Sequence, residues 1–317
     1  MSMTRRGFLE RAAGAGTLLT LARPASAADG MFVSLNGSLT PGVSGAEKIR
    51  LAAKTGYGGV DWDFGPARKE GVDTTRALFT ELTIRPTIVN LPFPKPGAFA
   101  GDDALFQEGL KSLADDAEFT AAVGCERMML VLSPASPRPR DEQRTLVRDR
   151  LAAISEVLRT SNIRLGLEFL GPLYMRSGPG RGGEPRHPFI WTLADTVALA
   201  ADSGPNIGVV LDVWHWHHSE SSIADVLATD AARIVHVHVS DANRQPPEDV
   251  RDNQRLMPGE GIIDLMGFFG ALHKIGYRGG VSPEPLGRIA KDMAPEEGAR
   301  LGLETTTAVM KKAKVLA

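Results

Sequence analysis

The sequence predicts an α/β fold, namely a single (β/α)8 barrel, which is also called a TIM barrel. Eight short apolar segments alternate with eight helical segments along the chain, and this alternation is typical of parallel βαβ units. The chain has 317 residues, of which 43% are hydrophobic and 23% are charged, so it can bury the core that such a barrel needs. A doubly wound open sheet is the competing fold. The first predicted turn, Leu35-Asn36-Gly37-Ser38, lacks the glycine-rich pattern of that fold.

Four strands and four helices are predicted in the first half of the barrel. Each strand is a short apolar run, and Pro92 follows the third. Asp102 or Asp103 is the expected N-cap of the long third helix. Asp141 and Glu142 begin the fourth helix, where negative charge suits the helix dipole. The strands are predicted over 32–36, 59–63, 86–91 and 128–132, and the helices over 46–55, 74–82, 103–123 and 141–160.

The second half repeats this rhythm with four more strands and four more helices. Lysine residues 311, 312 and 314 fall at the carboxyl end of the last helix, where positive charge is favourable. No composition shift or long linker marks a second domain, so residues 30–317 are predicted to form one barrel. The strands are predicted over 164–169, 207–212, 234–239 and 280–284, and the helices over 193–201, 223–228, 265–275 and 297–314.

Residues 1–27 are predicted to be an export signal rather than part of the fold. The segment Thr4-Arg5-Arg6-Gly7-Phe8-Leu9 matches the twin-arginine pattern, and Ala25-Ser26-Ala27 forms an A-x-A cleavage site. The apolar stretch between them is too short to span a bilayer comfortably. We therefore expect the twin-arginine translocase as a partner, a periplasmic or secreted protein, and no membrane span after cleavage.

Charge argues against one class of protein, and cysteine content excludes another. The formal net charge is −2, so no global basic field indicates a nucleic-acid partner. The single cysteine, Cys125, rules out an intramolecular disulfide framework. Cys125 follows an alanine-rich helical segment and is expected to be a small buried hydrophobic residue.

Metal-ligating side chains stand at the ends of the four C-terminal strands. Reading the predicted strands in order gives Glu168, Asp212, His238 and Glu284. In a (β/α)8 barrel these strand ends converge on one mouth, which is where active sites lie. Three carboxylates and one imidazole suit one divalent ion, with Mn²⁺ or Mg²⁺ favoured and Co²⁺ or Zn²⁺ as alternatives. His236, on the same face of its strand as His238, is expected one layer deeper.

The chain resembles the xylose-isomerase-like barrel superfamily of sugar phosphate isomerases and epimerases, with ketose 3-epimerases and hydroxypyruvate isomerases nearest. The resemblance covers roughly residues 30–317. It implies metal ligation by the four strand-end residues and substrate contact by His215 and Arg244. It is carried by Leu167-Glu168, Asp212-Val213-Trp214-His215, His238-Val239-Ser240-Asp241-Ala242-Asn243-Arg244, Pro258-Gly259-Glu260-Gly261-Ile262-Ile263-Asp264 and Pro283-Glu284-Pro285.

The chemistry of that family gives each residue a role. Abstraction of a proton next to a carbonyl produces an enediolate, which a divalent metal stabilises as a Lewis acid. Glu168 and Glu284 are expected to act as the acid/base pair, one removing the proton and the other returning one. His215 and Arg244 are expected to hydrogen-bond the substrate oxygens. Trp214 is a candidate wall for a sugar ring, with packing beneath the loop as the equal alternative.

Three segments depart from the family pattern or fall outside it. The loop after Glu168 reads Gly171-Pro172-Leu173-Tyr174 and lacks the second acidic residue of ketose 3-epimerases. Residues 245–257 form a longer insertion than the family pattern has before its Pro-Gly-x-Gly motif. Both changes remodel the substrate pocket without altering the metal ligands. The glycine-rich segment 177–183 is interpreted as a mobile surface loop, with an active-site lid as the alternative.

Several functions remain open from the sequence. The first is a metal-dependent sugar isomerase or epimerase that acts on a small-molecule carbohydrate. The second is a lyase or dehydratase acting on a keto sugar, a 3-keto-glycoside or an inosose, because the same enolate can expel a β-leaving group. The third is a non-catalytic periplasmic carbohydrate-binding protein. A DNA-repair endonuclease would need more histidines and a basic groove. The oligomeric state is open, with a homo-oligomer as one option.

Overall fold

The predicted barrel is confirmed by a computed structural model, which describes residues 30–93, 99, 101–176, 186–289 and 292–316. Eight parallel strands close into a barrel in chain order, and the first pairs with the last. The predicted export signal and the glycine-rich segment 177–183 lie outside the described residues. The barrel strands are β1 Phe32–Leu35, β2 Gly59–Asp61, β3 Arg85–Asn90, β4 Arg127–Leu132, β5 Arg164–Phe169, β6 Ile207–Asp212, β7 Ile234–Val239 and β8 Gly280–Pro283.

Helices surround the barrel, and all eight predicted helices are present with ends shifted by at most two residues. Asp102 is the N-cap of the long fourth helix, and its carboxylate accepts hydrogen bonds from two backbone amides. A two-stranded antiparallel sheet, Ala135–Ser136 with His187–Pro188, lies outside the barrel. The helices are α1 Gly45–Thr55, α2 Phe64–Glu70, α3 Val72–Glu81, α4 Asp103–Val123, α5 Arg140–Thr160, α6 Leu173–Arg176, α7 Leu193–Ser203, α8 Val213–His217, α9 Ile223–Ala228, α10 Leu265–Ile275 and α11 Pro295–Lys312.

Two short helices replace segments that the sequence predicted as strand or loop. The second strand ends at Asp61 instead of residue 63, because α2 begins at Phe64. Helix α8 follows Asp212 directly, and the Asp212 carboxylate accepts hydrogen bonds from the backbone amides of Trp214 and His215 at 2.7 and 3.2 Å. A carboxylate in this position satisfies amides that have no partner within the helix. Asp212 therefore ends a strand and caps a helix with one side chain.

The register of the C-terminal strands determines which side chains meet at the mouth. Asp212 pairs with His238 across β6 and β7, and Ser282 pairs with His238 across β7 and β8. Side chains at paired positions of neighbouring strands point to the same face of the sheet. The aspartate, the histidine and the end of β8 are therefore placed side by side by backbone pairing.

The hydrophobic core lies mainly between the strands and the helices that cover them. Large side chains such as Leu113, Leu151 and Phe169 are fully buried there. Cys125 is also fully buried and free, as the sequence predicts. In the part of the chain that the structure describes, no helix is both long enough and apolar enough to cross a membrane.

Candidate metal centre

The four strand-end residues meet at the carboxyl end of the barrel. Glu168, Asp212, His238 and Glu284 each offer one ligand atom, and these atoms lie within 4.8 Å of one another. Glu168, Asp212 and His238 are buried, and Glu284 is partly exposed toward the mouth. Buried carboxylates this close together repel one another unless cations neutralise them. Three carboxylate oxygens and one imidazole nitrogen form a donor set that fits one divalent metal ion.

His238 and Glu168 form the closest contact of this cluster. Nδ1 of His238 lies 2.8 Å from Oε1 of Glu168 and 3.4 Å from Oε2 of Glu284. Burial opposes protonation of the imidazole, but the two glutamates raise the pKa of His238 well above its ordinary value. Burial also raises the pKa of Glu168 to about 7, against the attraction of His238. In the metal-free protein, this pair therefore retains a proton that a metal ion would replace.

The two glutamates occupy electrostatically different environments. Burial acts to raise the pKa of Glu284, but the nearby His238 imidazole and Arg255 guanidinium together hold it below its ordinary value. The main groups that act on the pKa of Glu168 are His238, Glu284 and Asp212, and none of them is an arginine. Environments that separate the pKa values of two carboxyl groups are a common basis for acid and base roles. Glu284 is therefore ionised more readily than Glu168, which holds a proton more readily.

An arginine that the sequence did not single out lies within the cluster. Arg255 is 2% exposed, and its Nη1 donates to Oδ2 of Asp212 at 2.6 Å and to Oε2 of Glu284 at 3.0 Å. Its Nη2 donates to Nε2 of His215 at 3.0 Å and pairs with Asp252 at 2.7 Å. Each of these contacts is a hydrogen bond to a fixed position of the planar guanidinium. Arg255 thus joins two metal-ligand candidates to His215.

Arg244, the predicted substrate contact, is exposed in the structure. The path of the insertion 245–257 explains this arrangement. Asp241 and Leu256 form an antiparallel bridge, with reciprocal backbone hydrogen bonds of 2.9 Å. At this bridge the chain returns to the end of β7, just after Arg255. Arg244 instead lies at the start of the loop, where the chain leaves β7. The sequence clue that could have identified Arg255 is its position three residues before Pro258, at the start of the Pro-Gly-x-Gly motif.

Asp241 holds that motif in place by hydrogen bonds to the backbone. Its Oδ1 accepts from the amides of Ala242 and Ile263 at 2.9 Å, and its Oδ2 accepts from Gly259 at 3.0 Å. Gly259 has a φ of 91°, a left-handed conformation that favours glycine. The segment after His238 and the Pro-Gly-x-Gly motif are therefore parts of one loop structure beside the metal centre.

His215 and Trp214 lie against Arg255. Burial lowers the pKa of His215 to about 3, so the imidazole is neutral and its Nε2 can accept the hydrogen bond from Arg255. The guanidinium carbon of Arg255 lies 4.7 Å from the ring centre of Trp214, an arrangement typical of a cation–π contact. Trp214 is buried, which matches the packing alternative. Of the three predicted substrate contacts, His215 and Trp214 are buried against Arg255, and Arg244 is exposed.

The fold and the site together define a class of protein. The chain forms a (β/α)8 barrel with a buried His/Asp/Glu cluster of metal-binding type at the carboxyl ends of its strands. Residues 49–310 match the model of the family described as xylose isomerase-like TIM barrel. The chain therefore belongs to this family.

Curated relatives of the chain include isomerases and epimerases. The chain is 28% identical to inosose isomerase of Halalkalibacterium halodurans over 165 residues, which are 51% of this chain and 53% of the relative. It is 26% identical to 3-dehydro-D-guloside 4-epimerase of Escherichia coli over 266 residues, which are 78% of this chain and 89% of the relative. The matched region thus spans about half the length of the inosose isomerase and most of the epimerase.

Solved structures with the same fold match nearly the whole chain. A xylose isomerase domain protein from Alicyclobacillus acidocaldarius is 28% identical with a TM-score of 0.79, and the match covers 90% of this chain and 99% of that one. The IOLI protein with a bound zinc atom is 22% identical with a TM-score of 0.74, over 89% and 99% of the two chains. The second likeness shows the fold alone.

Proposed function

We propose that the protein is a divalent-metal-dependent isomerase or epimerase of a keto sugar or a keto polyol. The observation that carries this proposal is the cluster of Glu168, Asp212, His238 and Glu284 ligand atoms within 4.8 Å of one another. Two further findings support isomerisation or epimerisation as the reaction class. The chain belongs to the xylose isomerase-like family, and its relatives include an isomerase and an epimerase. A bound divalent ion would polarise a substrate carbonyl and the neighbouring hydroxyl, which acidifies the carbon-bound proton between them.

The two glutamates divide the proton transfer between them. Glu168 is the next-to-last residue of β5 and Glu284 follows β8, so they reach the substrate from strands separated by β6 and β7. Glu284 is the more acidic group and acts as the base that removes the carbon-bound proton. Glu168 has the raised pKa and returns a proton. Return to the opposite face of the same carbon gives an epimer, and return to the neighbouring carbon gives an isomer.

His215 supplies a hydrogen-bond donor for the substrate oxygens, and Arg255 holds its imidazole in place. Because Nε2 of the neutral ring accepts from Arg255, the ring proton lies on Nδ1, which is buried and has no partner among the described residues. The guanidinium is fixed by Asp212, Asp252 and Trp214 before substrate arrives. Donors that are already oriented in a buried site stabilise developing negative charge more strongly than mobile donors in water. Arg255 therefore positions His215, one of the two substrate contacts that the family resemblance implies.

Lyase activity is the second candidate. The 3-dehydro-D-guloside 4-epimerase match covers most of that relative and names a substrate with a keto group on a glycoside. Proton removal next to such a ketone can expel a β-leaving group instead of being followed by reprotonation. The loop after Glu168, Gly171-Pro172-Leu173-Tyr174, brings no acidic residue that would select a free ketohexose. Keto-glycosides and inososes are therefore the substrates to test first.

The test is deuterium exchange in D₂O with the purified protein and Mn²⁺, Mg²⁺, Co²⁺ or Zn²⁺. The substrate panel contains inososes, 3-keto-glucosides and free ketohexoses, followed by NMR and mass spectrometry. We expect deuterium at the carbon next to the ketone and a product that is an isomer of the substrate. A cleaved or unsaturated product would make the protein a lyase. Tight sugar binding without exchange would make it a binding protein, and the chelator-treated protein is the control.

A further inference from the structure

A second polar cluster lies behind His238. Ligand-type atoms of Asp61, His236 and His238 lie within 4.8 Å of one another. Asp61 ends β2, on the side of the barrel opposite β6, and so belongs to a part of the chain that the proposed mechanism does not use. His238 is the residue shared by this cluster and the metal centre.

The two ring nitrogens of His238 face these two clusters. Nδ1 points to the glutamates, 2.8 Å from Glu168 and 3.4 Å from Glu284. Nε2 points toward Asp61, with 3.9 Å between Nε2 and Oδ2. Nε2 is buried, and the described residues offer it no hydrogen-bond partner within bonding distance. A histidine that binds a metal through one nitrogen almost always donates its other N–H to a carboxylate, a carbonyl or a water molecule.

Asp61 is held in position by three donors. Oδ1 accepts from the hydroxyls of Ser34 at 2.8 Å and Ser282 at 2.9 Å, and Oδ2 accepts from the Asn36 amide at 3.2 Å. Ser282 also contacts Nε2 of His236 at 2.7 Å. These contacts use Oδ1 twice and leave Oδ2 with one donor, so the oxygen nearest His238 keeps a free lone pair.

The same contacts decide between two uses of the cluster. A second metal ion would need Asp61 and Nε2 of His236 as ligands, but Oδ1 and Nε2 are already bonded to Ser282. A positioning role needs only Oδ2, which lies on the side of His238. The gap of 3.9 Å between Nε2 and Oδ2 exceeds a hydrogen bond by about 1 Å, which a small shift of the side chain closes.

We propose that Asp61 is a positioning residue for His238. Its carboxylate accepts the Nε2–H of the imidazole, fixes the tautomer in which Nδ1 is free to bind the metal, and orients the ring toward the carboxylates. The proposal rests on the metal centre of the proposed function but on no particular substrate. Loss of such a partner lowers metal affinity by about 10- to 100-fold in comparable sites.

The experiment measures metal affinity of the full chain by calorimetry, with Mn²⁺ and Zn²⁺ and no substrate. We compare Asp61→Asn and Asp61→Ala with Asp63→Asn. Asp63 is a matched control because it lies two residues away and pairs with Lys48 at 2.7 Å. We expect the Asp61 variants to bind about 10- to 100-fold more weakly, Asp63→Asn to bind like the wild type, and one ion per chain throughout.

A second measurement covers the case in which Asp61→Ala does not fold. With histidine labelled by ¹⁵N, the zinc-loaded wild type should show His238 as the Nε2–H tautomer, and Asp61→Asn should lose the downfield shift of that proton.

Wild-type affinity in both Asp61 variants would overturn the proposal. Two ions per wild-type chain, falling to one in the Asp61 variants, would identify a second metal site instead. Intact metal binding without deuterium exchange would refute only the proposed function.

Discussion

Arg255 and Asp212 form a buried ion pair, with Nη1 of the arginine 2.6 Å from Oδ2 of the aspartate. The arginine comes from the insertion 245–257 and the aspartate from the end of β6. The same Nη1 lies 3.0 Å from Oε2 of Glu284. A segment that looks like an addition to the family pattern therefore supplies a cation to the centre of the site.

The first prediction compares Arg255 with Arg244. Arg255→Ala should lower the rate of deuterium exchange by about 10²- to 10³-fold, because it releases His215, and losing one donor to a developing oxyanion usually has an effect of this size. It should also destabilise the fold by about 3–5 kcal/mol, because buried carboxylates lose their partner. Arg244→Ala should have a much smaller effect, since that side chain is exposed. Exchange rates and urea unfolding measure the two effects.

Arg255→Lys separates charge from geometry in the same experiment. A lysine retains the positive charge but cannot form the planar set of contacts to Asp212, His215 and Asp252. We expect stability between those of the wild type and Arg255→Ala, and activity close to that of Arg255→Ala. A larger loss of activity in Arg244→Ala than in Arg255→Ala would contradict the assignment made from the structure.

The second prediction concerns the two glutamates. Glu284→Gln and Glu168→Gln should each reduce deuterium exchange by at least about 10²-fold while the fold remains intact. Glu260→Gln is the control, because Glu260 lies on the surface and pairs with Arg288 at 3.1 Å. Metal content and circular dichroism are measured for each variant, because both glutamates are also candidate ligands. An active Glu284→Gln protein that retains its metal would refute the two-glutamate mechanism.

The third prediction is that metal affinity falls as pH falls through about 7. Burial raises the pKa of Glu168 to about 7, and the glutamates raise that of His238. Metal binding needs both groups deprotonated, so protons compete with the ion below neutral pH. We expect about a tenfold loss of affinity per pH unit for each proton displaced. Calorimetry in two buffers of different ionisation enthalpy counts the protons released, and a pH-independent affinity between 5.5 and 8 would disprove this coupling.

The fourth prediction concerns the amino-terminal segment, which we propose to be a twin-arginine export signal. Replacement of Arg5 and Arg6 together by lysine should keep the protein in the cytoplasm, because the translocase reads the arginine pair. Cell fractionation and the mass of the mature amino terminus provide the measurement. Cleavage after Ala27 is expected for the wild type. An uncleaved wild-type protein, or export of the double variant at the wild-type level, would argue against this signal.

Much of the fold could be predicted because its signals are local. Each barrel strand is an apolar run of a few residues, and each long helix has its own amphipathic pattern, as in Asp103–Val123. The four metal-ligand candidates could also be predicted, since each is the polar residue at or near a strand end. Parallel strands in a barrel bring their carboxyl ends to one mouth. Glu168 and Asp212 therefore approach each other whatever path the loops take.

The sequence alone thus determined the barrel and the set Glu168, Asp212, His238 and Glu284. The tertiary structure decided which other side chains reach them. Arg255 enters the site because the bridge between Asp241 and Leu256 turns the insertion back toward β7. Strand periodicity specifies side-chain direction along a strand, but the path of a loop depends on hydrogen bonds between residues distant in sequence. That dependence is why the position of Arg255 beside Asp212 and Glu284 is decided by the folded chain.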